Sequence, residues 1–223
     1  MLEAEGIRKN YGKKTVLSGV SLTAEPGQCV GIVGGNGCGK TTLLSILAGA
    51  RKADGGSLRI DGKEILGSPA VQSAQIAYVP QENPFMEELS VKDNLRLWYK
   101  GNKEAMKQDL ENGPAAMLGI GGFLKTPVGK LSGGMKKRLS IASALAGHEK
   151  ILIMDEPGAA LDLVCKQVIQ EYISQYLKHG GTVLLASHEL AELAVCTKMY
   201  VLKNGQAEEI PCGLTVEQMT ARF

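Results

Sequence analysis

Nine residues, GGNGCGKTT from Gly34 to Thr42, constrain this chain more than any other stretch. Gly34, Gly39, Lys40 and Thr41 satisfy the spacing G-x-x-x-x-G-K-[ST]. QCVGIVG before it is a β-branched apolar run that reads as a buried strand, and TTLLSILAG within and after it reads as a helix. Strand, glycine-rich loop and helix in that order make a phosphate cradle. Glycines let successive backbone N–H groups turn inward, and the helix N-terminus adds partial positive charge. Lys40 supplies a point charge to the terminal phosphates, and the Thr41 hydroxyl is a ligand for Mg²⁺. The other glycine-rich reading, the dinucleotide fingerprint G-x-G-x-x-G, fails because Lys40 stands where the third glycine after Gly35 and Gly37 belongs. The ligand that fits is a nucleoside triphosphate. Cys38 lies inside this loop near a helix N-terminus, where the field favours a thiolate; a small buried spacer is the equal alternative.

The remaining pattern predicts an α/β fold around that loop. ILIM (151–154) and TVLLA (182–186) are short buried-strand runs, each followed by a helical segment. Asp61-Gly62 and Asn204-Gly205 are two-residue turns that favour β-hairpins. This alternation argues for a mainly parallel sheet accompanied by an antiparallel β region. The middle of the chain differs. Ser90-Val-Lys-Asp93 reads as a capping box opening a helix through Trp98, and NKEAMKQDLENG and SGGMKKRLSIASALAG also read as helical. The expected organisation is one domain over 1–223, with an α/β core from 1–82 and 148–223 and a helical sub-domain over 83–147. In NPFMEELSV, Phe85, Met86 and Leu89 are apolar within a stretch expected to be exposed, and with the helical insertion they predict a groove for a partner helix.

Composition narrows the classes further. With 25 Lys plus Arg against 23 Asp plus Glu the formal charge is +2, too small for a broad nucleic-acid-binding field. The cluster Lys136, Lys137, Arg138 therefore reads as a solvated helix face. An apolar share of 44% with 22% charged residues excludes a disordered chain. No run reaches the ~18 apolar residues of a membrane helix, and MLEAEGIRKN is charged where a signal peptide would be apolar. The five cysteines are scattered without a CxxC pair, which predicts neither a disulfide framework nor a zinc site and fits a reducing cytosol.

ILIMDEP places Asp155 and Glu156 at the carboxyl end of a buried strand, where ligands of open α/β sheets bind. Asp155 suits a metal-holding carboxylate. Glu156 suits the general base toward water, a role that contributes about 10²–10⁴ in rate.

Here the chain resembles a known family. LSGGMKKR (Leu131 to Arg138) resembles the signature motif of ATP-binding-cassette (ABC) proteins, and it falls between the phosphate loop and the acidic pair, as in that family. Tyr11 in KNYGKKTVL resembles the aromatic that stacks on adenine. Gln81 in YVPQEN resembles the Q-loop glutamine, Leu161-Asp162 the D-loop, and His188 in LLASHE the switch histidine. The resemblance covers essentially the whole chain and implies a P-loop NTPase core that binds ATP. It implies that Tyr11, Gly34, Asn36, Gly37, Cys38, Gly39, Lys40, Thr41, Thr42, Gln81 and Asp155 line the nucleotide site, with Thr41, Gln81 and Asp155 on Mg²⁺. Glu156, His188 and Lys40 would be catalytic, with Ser187 expected as an N-cap behind the histidine. Ser132, Gly133 and Gly134 would open a helix facing the γ-phosphate held by a second subunit, so that two cassettes, identical or different, sandwich ATP. Two positions depart from the family: Gly158 replaces a usual Thr and Leu163 a usual Pro, which leaves cross-subunit coupling through Asp162 open.

Within that family, a single cassette without membrane spans resembles the ATPase subunit of a transporter whose permease is a separate chain. This would place it at the cytoplasmic face of the cell membrane without inserting into it. LSGGMKKRLSIA is similar to single-cassette drug-resistance-type exporters, so export is expected. An importer ATPase and a lone-cassette assembly factor are the alternatives.

Overall fold

The computed structural model describes residues 1–159 and 161–222. Its strands form two sheets. β1 (Leu2–Tyr11), β2 (Lys14–Ala24), β4 (Gly55–Ile60) and β5 (Lys63–Glu64) make an antiparallel sheet in the order β2-β1-β4-β5. The larger sheet has the order β10-β9-β3-β8-β7-β6. It contains β3 (Cys29–Val33), β6 (Ile76–Val79), β7 (Ile151–Asp155), β8 (Thr182–Ala186), β9 (Lys198–Lys203) and β10 (Gln206–Ile210). All its pairings are parallel except β9 with β10. The β4–β5 and β9–β10 hairpins turn at the expected dipeptides. Asp61 and Gly62 have φ of 51° and 77°, Asn204 and Gly205 of 51° and 74°, the double left-handed conformation of a type I′ turn.

The parallel strands are apolar throughout because both faces are covered. Successive residues point to opposite faces, and the core divides accordingly. Leu152, Met154, Val183, Leu185, Met199 and Val201 join one buried cluster. Ile151, Ile153, Leu184, Ala186, Tyr200 and Leu202 join the other. The second cluster lies between the two sheets and takes Leu43, Leu44, Ile46 and Leu47 from α1 (Lys40–Leu47). The first is covered by α6 (Gly133–Ala144) and α7 (Leu163–Lys178).

Between α1 and β6 lies the short α2 (Pro69–Ser73). Between β6 and β7 the chain is helical: α3 (Val91–Trp98), α4 (Lys103–Asn112), α5 (Pro114–Met117) and α6 follow one another. Helix α8 (Leu190–Leu193) precedes β9, and α9 (Val216–Thr220) follows β10. No helix among the described residues is long and apolar enough to cross a membrane.

Two local expectations are corrected. Ser90 does cap α3, accepting from the Asp93 N–H at 3.2 Å, but its hydroxyl also donates to the Asp93 carboxylate at 2.5 Å. The Asp93 side chain therefore holds the Ser90 hydroxyl, and no reciprocal capping box forms. The basic cluster on α6 is not a solvated face. Lys137 is 4% exposed, and its Nζ donates to the carbonyls of Pro80 and Gln81 at 2.9 and 3.1 Å. Lys136 pairs with Glu87 at 2.6 Å, while Arg138 donates to the Leu118 carbonyl and lies over the Phe123 ring. α6 is packed on several sides, so its long cations reach for oxygen atoms within the fold.

Candidate functional site

The phosphate loop runs from the end of β3 to the start of α1, and Gly34 sets its path. Its φ is 152°, and a Cβ there would collide with the carbonyl oxygen of Leu202, so only glycine passes the neighbouring strand this closely. Asn36, Gly37, Gly39, Lys40, Thr41 and Thr42 line a cavity of about 470 Å³, faced by Val16, Gln81 and Glu156. Lys40 is buried at 7% exposure, and its Nζ donates to the carbonyls of Gly34 and Gly35 at 2.9 and 3.4 Å. A buried ammonium held by neutral carbonyls gains by exchanging them for phosphate oxygens, because charge-assisted hydrogen bonds are stronger. Cys38 turns away from the cavity. Its side chain packs against the core cluster under α1, and its N–H donates to the Gly35 carbonyl at 3.2 Å.

Asp155 ends β7 at 1% exposure, and its Oδ2 is buried without a hydrogen-bond partner. Burial pushes its carboxyl above the usual aspartate range, and the Glu156 charge adds to this; the Thr41 hydroxyl and the Lys40 and Lys137 charges oppose it. An orphaned carboxylate oxygen beside a threonine hydroxyl is a hard-oxygen donor set of the kind Mg²⁺ takes.

Glu156 is the next residue, and its φ of 49° is left-handed, uncommon for a residue with a long side chain. Its N–H donates to the Ala186 carbonyl at 2.9 Å, which ties the turn to β8. Its Oε2 accepts from Gln81 Nε2 at 3.1 Å, and its Oε1 lies 3.2 Å from His188 Nε2. Three loops, after β6, β7 and β8, thus bring Gln81, Glu156 and His188 together at the mouth of the phosphate cavity.

The His188 turn differs from expectation. α8 begins at Leu190, and Ser187 does not cap it. The Ser187 hydroxyl accepts from the Glu189 N–H at 3.0 Å and donates to Glu192 Oε2 at 2.5 Å, using its donor and an acceptor site at once.

Ser132, Gly133 and Gly134 do begin a helix: Ser132 caps α6 and accepts from the Met135 N–H at 3.3 Å. They do not line the phosphate cavity of their own chain. Asp162 caps α7 through a 2.8 Å bond from the Cys165 N–H, which lowers its carboxyl pKa. Tyr11 closes β1, half-exposed, with its hydroxyl accepting from Arg51 at 2.5 Å. Asp54 fixes that end of the strand, accepting from Lys9 Nζ and the Asn10 N–H at 2.9 and 2.7 Å. Lys137 and Glu192 escaped the sequence reading, since nothing local distinguishes a buried lysine in KKR or a buried glutamate in HELAE from solvated ones.

Two larger clefts lie elsewhere. One of about 770 Å³ runs between α1, α2 and β6 on one side and the ends of α3 and α4 on the other, with Ala48, Tyr78, Trp98 and Tyr99 on its walls. Of the apolar residues beside it in sequence, Met86 and Leu89 are exposed, whereas Phe85 is partly buried against the core. The other, of about 620 Å³, opens at the far end of the large sheet.

Residues 17–159 match the family model described as ABC transporter. The chain is 34% identical over 223 residues to the Nod factor export ATP-binding protein I of Paraburkholderia xenovorans (strain LB400), covering 98% of this chain and 73% of that protein. It is 34% identical over 211 residues to the linearmycin resistance ATP-binding protein LnrL of Bacillus subtilis (strain 168), covering 92% and 67%. The fold superposes with a TM-score of 0.82, at 25% identity, on an ATP-binding cassette solved as a dimer in a post-hydrolysis state bound to ADP and Pi, covering 96% of this chain and all of the other.

Proposed function

The chain belongs to the ABC transporter family as an ATP-binding, ATP-hydrolysing cassette, and from that premise we propose that it works in pairs to drive export through separate membrane subunits. The observation that carries this reading is the grip of Gln81 and His188 on the Glu156 carboxylate at the phosphate cavity. In this reading ATP lays its adenine on Tyr11 and its phosphates along Asn36–Thr42, where Lys40 releases the Gly34 carbonyl for phosphate. Thr41, Gln81 and Asp155 would hold Mg²⁺, which supplies charge neutralisation to the phosphates. Glu156 accepts a proton from the attacking water. His188 donates to the γ-phosphate, and Ser132, Gly133 and Gly134 of the other cassette close over it, stabilising charge that develops there.

Residues 83–147 act as a helical sub-domain that moves against a core of 1–82 and 148–223. The 770 Å³ cleft between them is an apolar groove that fits a cytosolic helix of the permease, with Trp98 as anchor. Such docking holds the chain at the cytoplasmic face of a membrane. Names of relatives that speak of Nod factor export and linearmycin resistance support the outward direction.

The test is reconstitution with the membrane protein encoded beside this chain's gene. Wild type is expected to co-purify with it and change its ATPase rate, whereas Trp98→Asp keeps basal hydrolysis and loses both. A Trp98→Asp protein that still assembles moves the docking site elsewhere. Basal hydrolysis that no adjacent membrane protein alters overturns the transport reading.

A further inference from the structure

Gly158 lies two residues past Glu156, buried, and the space above its Cα is already taken. A Cβ built there would fall well inside contact distance of Glu192 Oε1, with Lys166 Cε 3.5 Å away. Glu192 comes from α8, which follows the neighbouring strand β8, and is itself 7% exposed. Its other oxygen accepts from the Ser187 hydroxyl, the residue before His188. One carboxylate thus touches the loop that carries Glu156 and the turn that carries His188. Lys166, the nearest cation, is engaged with Glu189 at 2.6 and 2.8 Å, so it does not draw Glu192 out of this position. A buried carboxylate is a costly way to fill space that a leucine would fill, which argues that its bond from Ser187 and its fit against Gly158 are the reason for it.

We infer that Glu192 is a positioning residue for hydrolysis, its carboxylate standing in the space of a side chain at position 158 and locking the Glu156 loop to the His188 turn. This rests on the reading of Glu156 and His188 as the reacting pair. Their atoms lie 3.2 Å apart on separate loops. Reacting groups must be held to about 0.5 Å, and a displacement of about 1 Å lowers rates by about 10²-fold. A side chain at residue 158 would have to push the Glu192 carboxylate out of this place.

The test is steady-state ATP hydrolysis by the full chain with Mg²⁺, with thermal melting alongside. Glu192→Ala is expected to lower kcat by about 10- to 100-fold with KM for ATP within about twofold, since the phosphate loop and Tyr11 are untouched. Glu192→Gln, which keeps the shape and one acceptor oxygen, recovers most of the rate. Gly158→Thr alone also lowers kcat, and Gly158→Thr combined with Glu192→Ala is faster than Gly158→Thr alone, because the threonine hydroxyl then enters the vacated space. If Glu192→Ala does not fold, the double variant set against Gly158→Thr still decides. Melting temperatures that fall while kcat holds, or a double variant slower than Gly158→Thr, overturn the inference. Glu156→Gln separates the two readings. Lost turnover there with normal Glu192 variants sinks only the positioning role, and retained turnover there sinks the catalytic pair.

Discussion

Glu156 Oε1 and His188 Nε2 meet at 3.2 Å across the ends of the paired parallel strands β7 and β8. Neighbouring parallel strands end side by side, so residues one and two positions past them face a common crevice. Gln81, past β6 on the far side of β7, closes the grip from the other direction. The carboxylate is therefore held between two side chains from neighbouring loops.

Replacing that carboxylate separates binding from turnover. Glu156→Gln is expected to hold ATP with wild-type affinity, lose at least about 10²-fold in hydrolysis, and run as an ATP·Mg²⁺-dependent dimer on sizing chromatography. Hydrolysis near the wild-type rate would remove Glu156 from the base role.

Asp155→Asn is expected to stabilise the nucleotide-free chain by about 1 kcal/mol, a rise in Tm of about 2–4 °C, because a desolvated charge is removed. Its folded pKa is raised, so the wild type is most stable where Asp155 is protonated, below the ordinary aspartate range, and loses that stability as pH rises through the folded value. The gap between Asp155→Asn and wild type should widen over the same interval. Melting scans from acid to neutral pH check this, and an Asp155→Asn protein less stable than wild type at neutral pH refutes it. Mg²⁺-dependent hydrolysis is lost in either case.

Lys137→Met leaves the Pro80 and Gln81 carbonyls without their donor. The expected loss is about 1–3 kcal/mol of stability, with a several-fold fall in ATP hydrolysis as Gln81 loses its anchor to α6. Lys137→Arg should retain most of both. Unchanged ATPase in a destabilised Lys137→Met protein would mean that the tie serves folding alone.

Mixing tests the two-chain site. Lys40→Ala and Ser132→Arg homodimers are each dead at both sites, while their heterodimer has one intact site if Ser132 acts across the interface. Random pairing restores roughly a quarter of wild-type sites. Intact ATP binding without recovered hydrolysis at any mixing ratio would return Ser132 to a purely structural role.

Much of this was legible before any coordinates. The phosphate loop announces itself because its function is carried by consecutive residues, and the β7 and β8 runs because both faces of a central strand are buried. What escaped depends on residues that meet only in three dimensions. Lys137 looks solvated among its neighbours, and its carbonyl partners lie 56 and 57 residues earlier. Ser187 looks like a helix cap, yet the helix starts later, at Leu190, and the hydroxyl bonds Glu192 instead. Cys38 leaves two readings open, a thiolate at the phosphates or a small buried spacer, and its packing against the core fits the second. Gly158 showed itself as an oddity, but the Glu192 carboxylate that lies against it comes from another helix and leaves no trace in the neighbouring sequence.

The left-handed backbone at Glu156 bears on any effort to harden this protein. Holding a side-chain-bearing residue there costs about 1–2 kcal/mol that glycine would not incur. A library sorted for heat resistance alone should therefore enrich glycine at 156 and deliver robust, well-folded, catalytically silent molecules. Screens on this scaffold need turnover in the sorting step, because the easiest route to toughness runs straight through the residue proposed as the base.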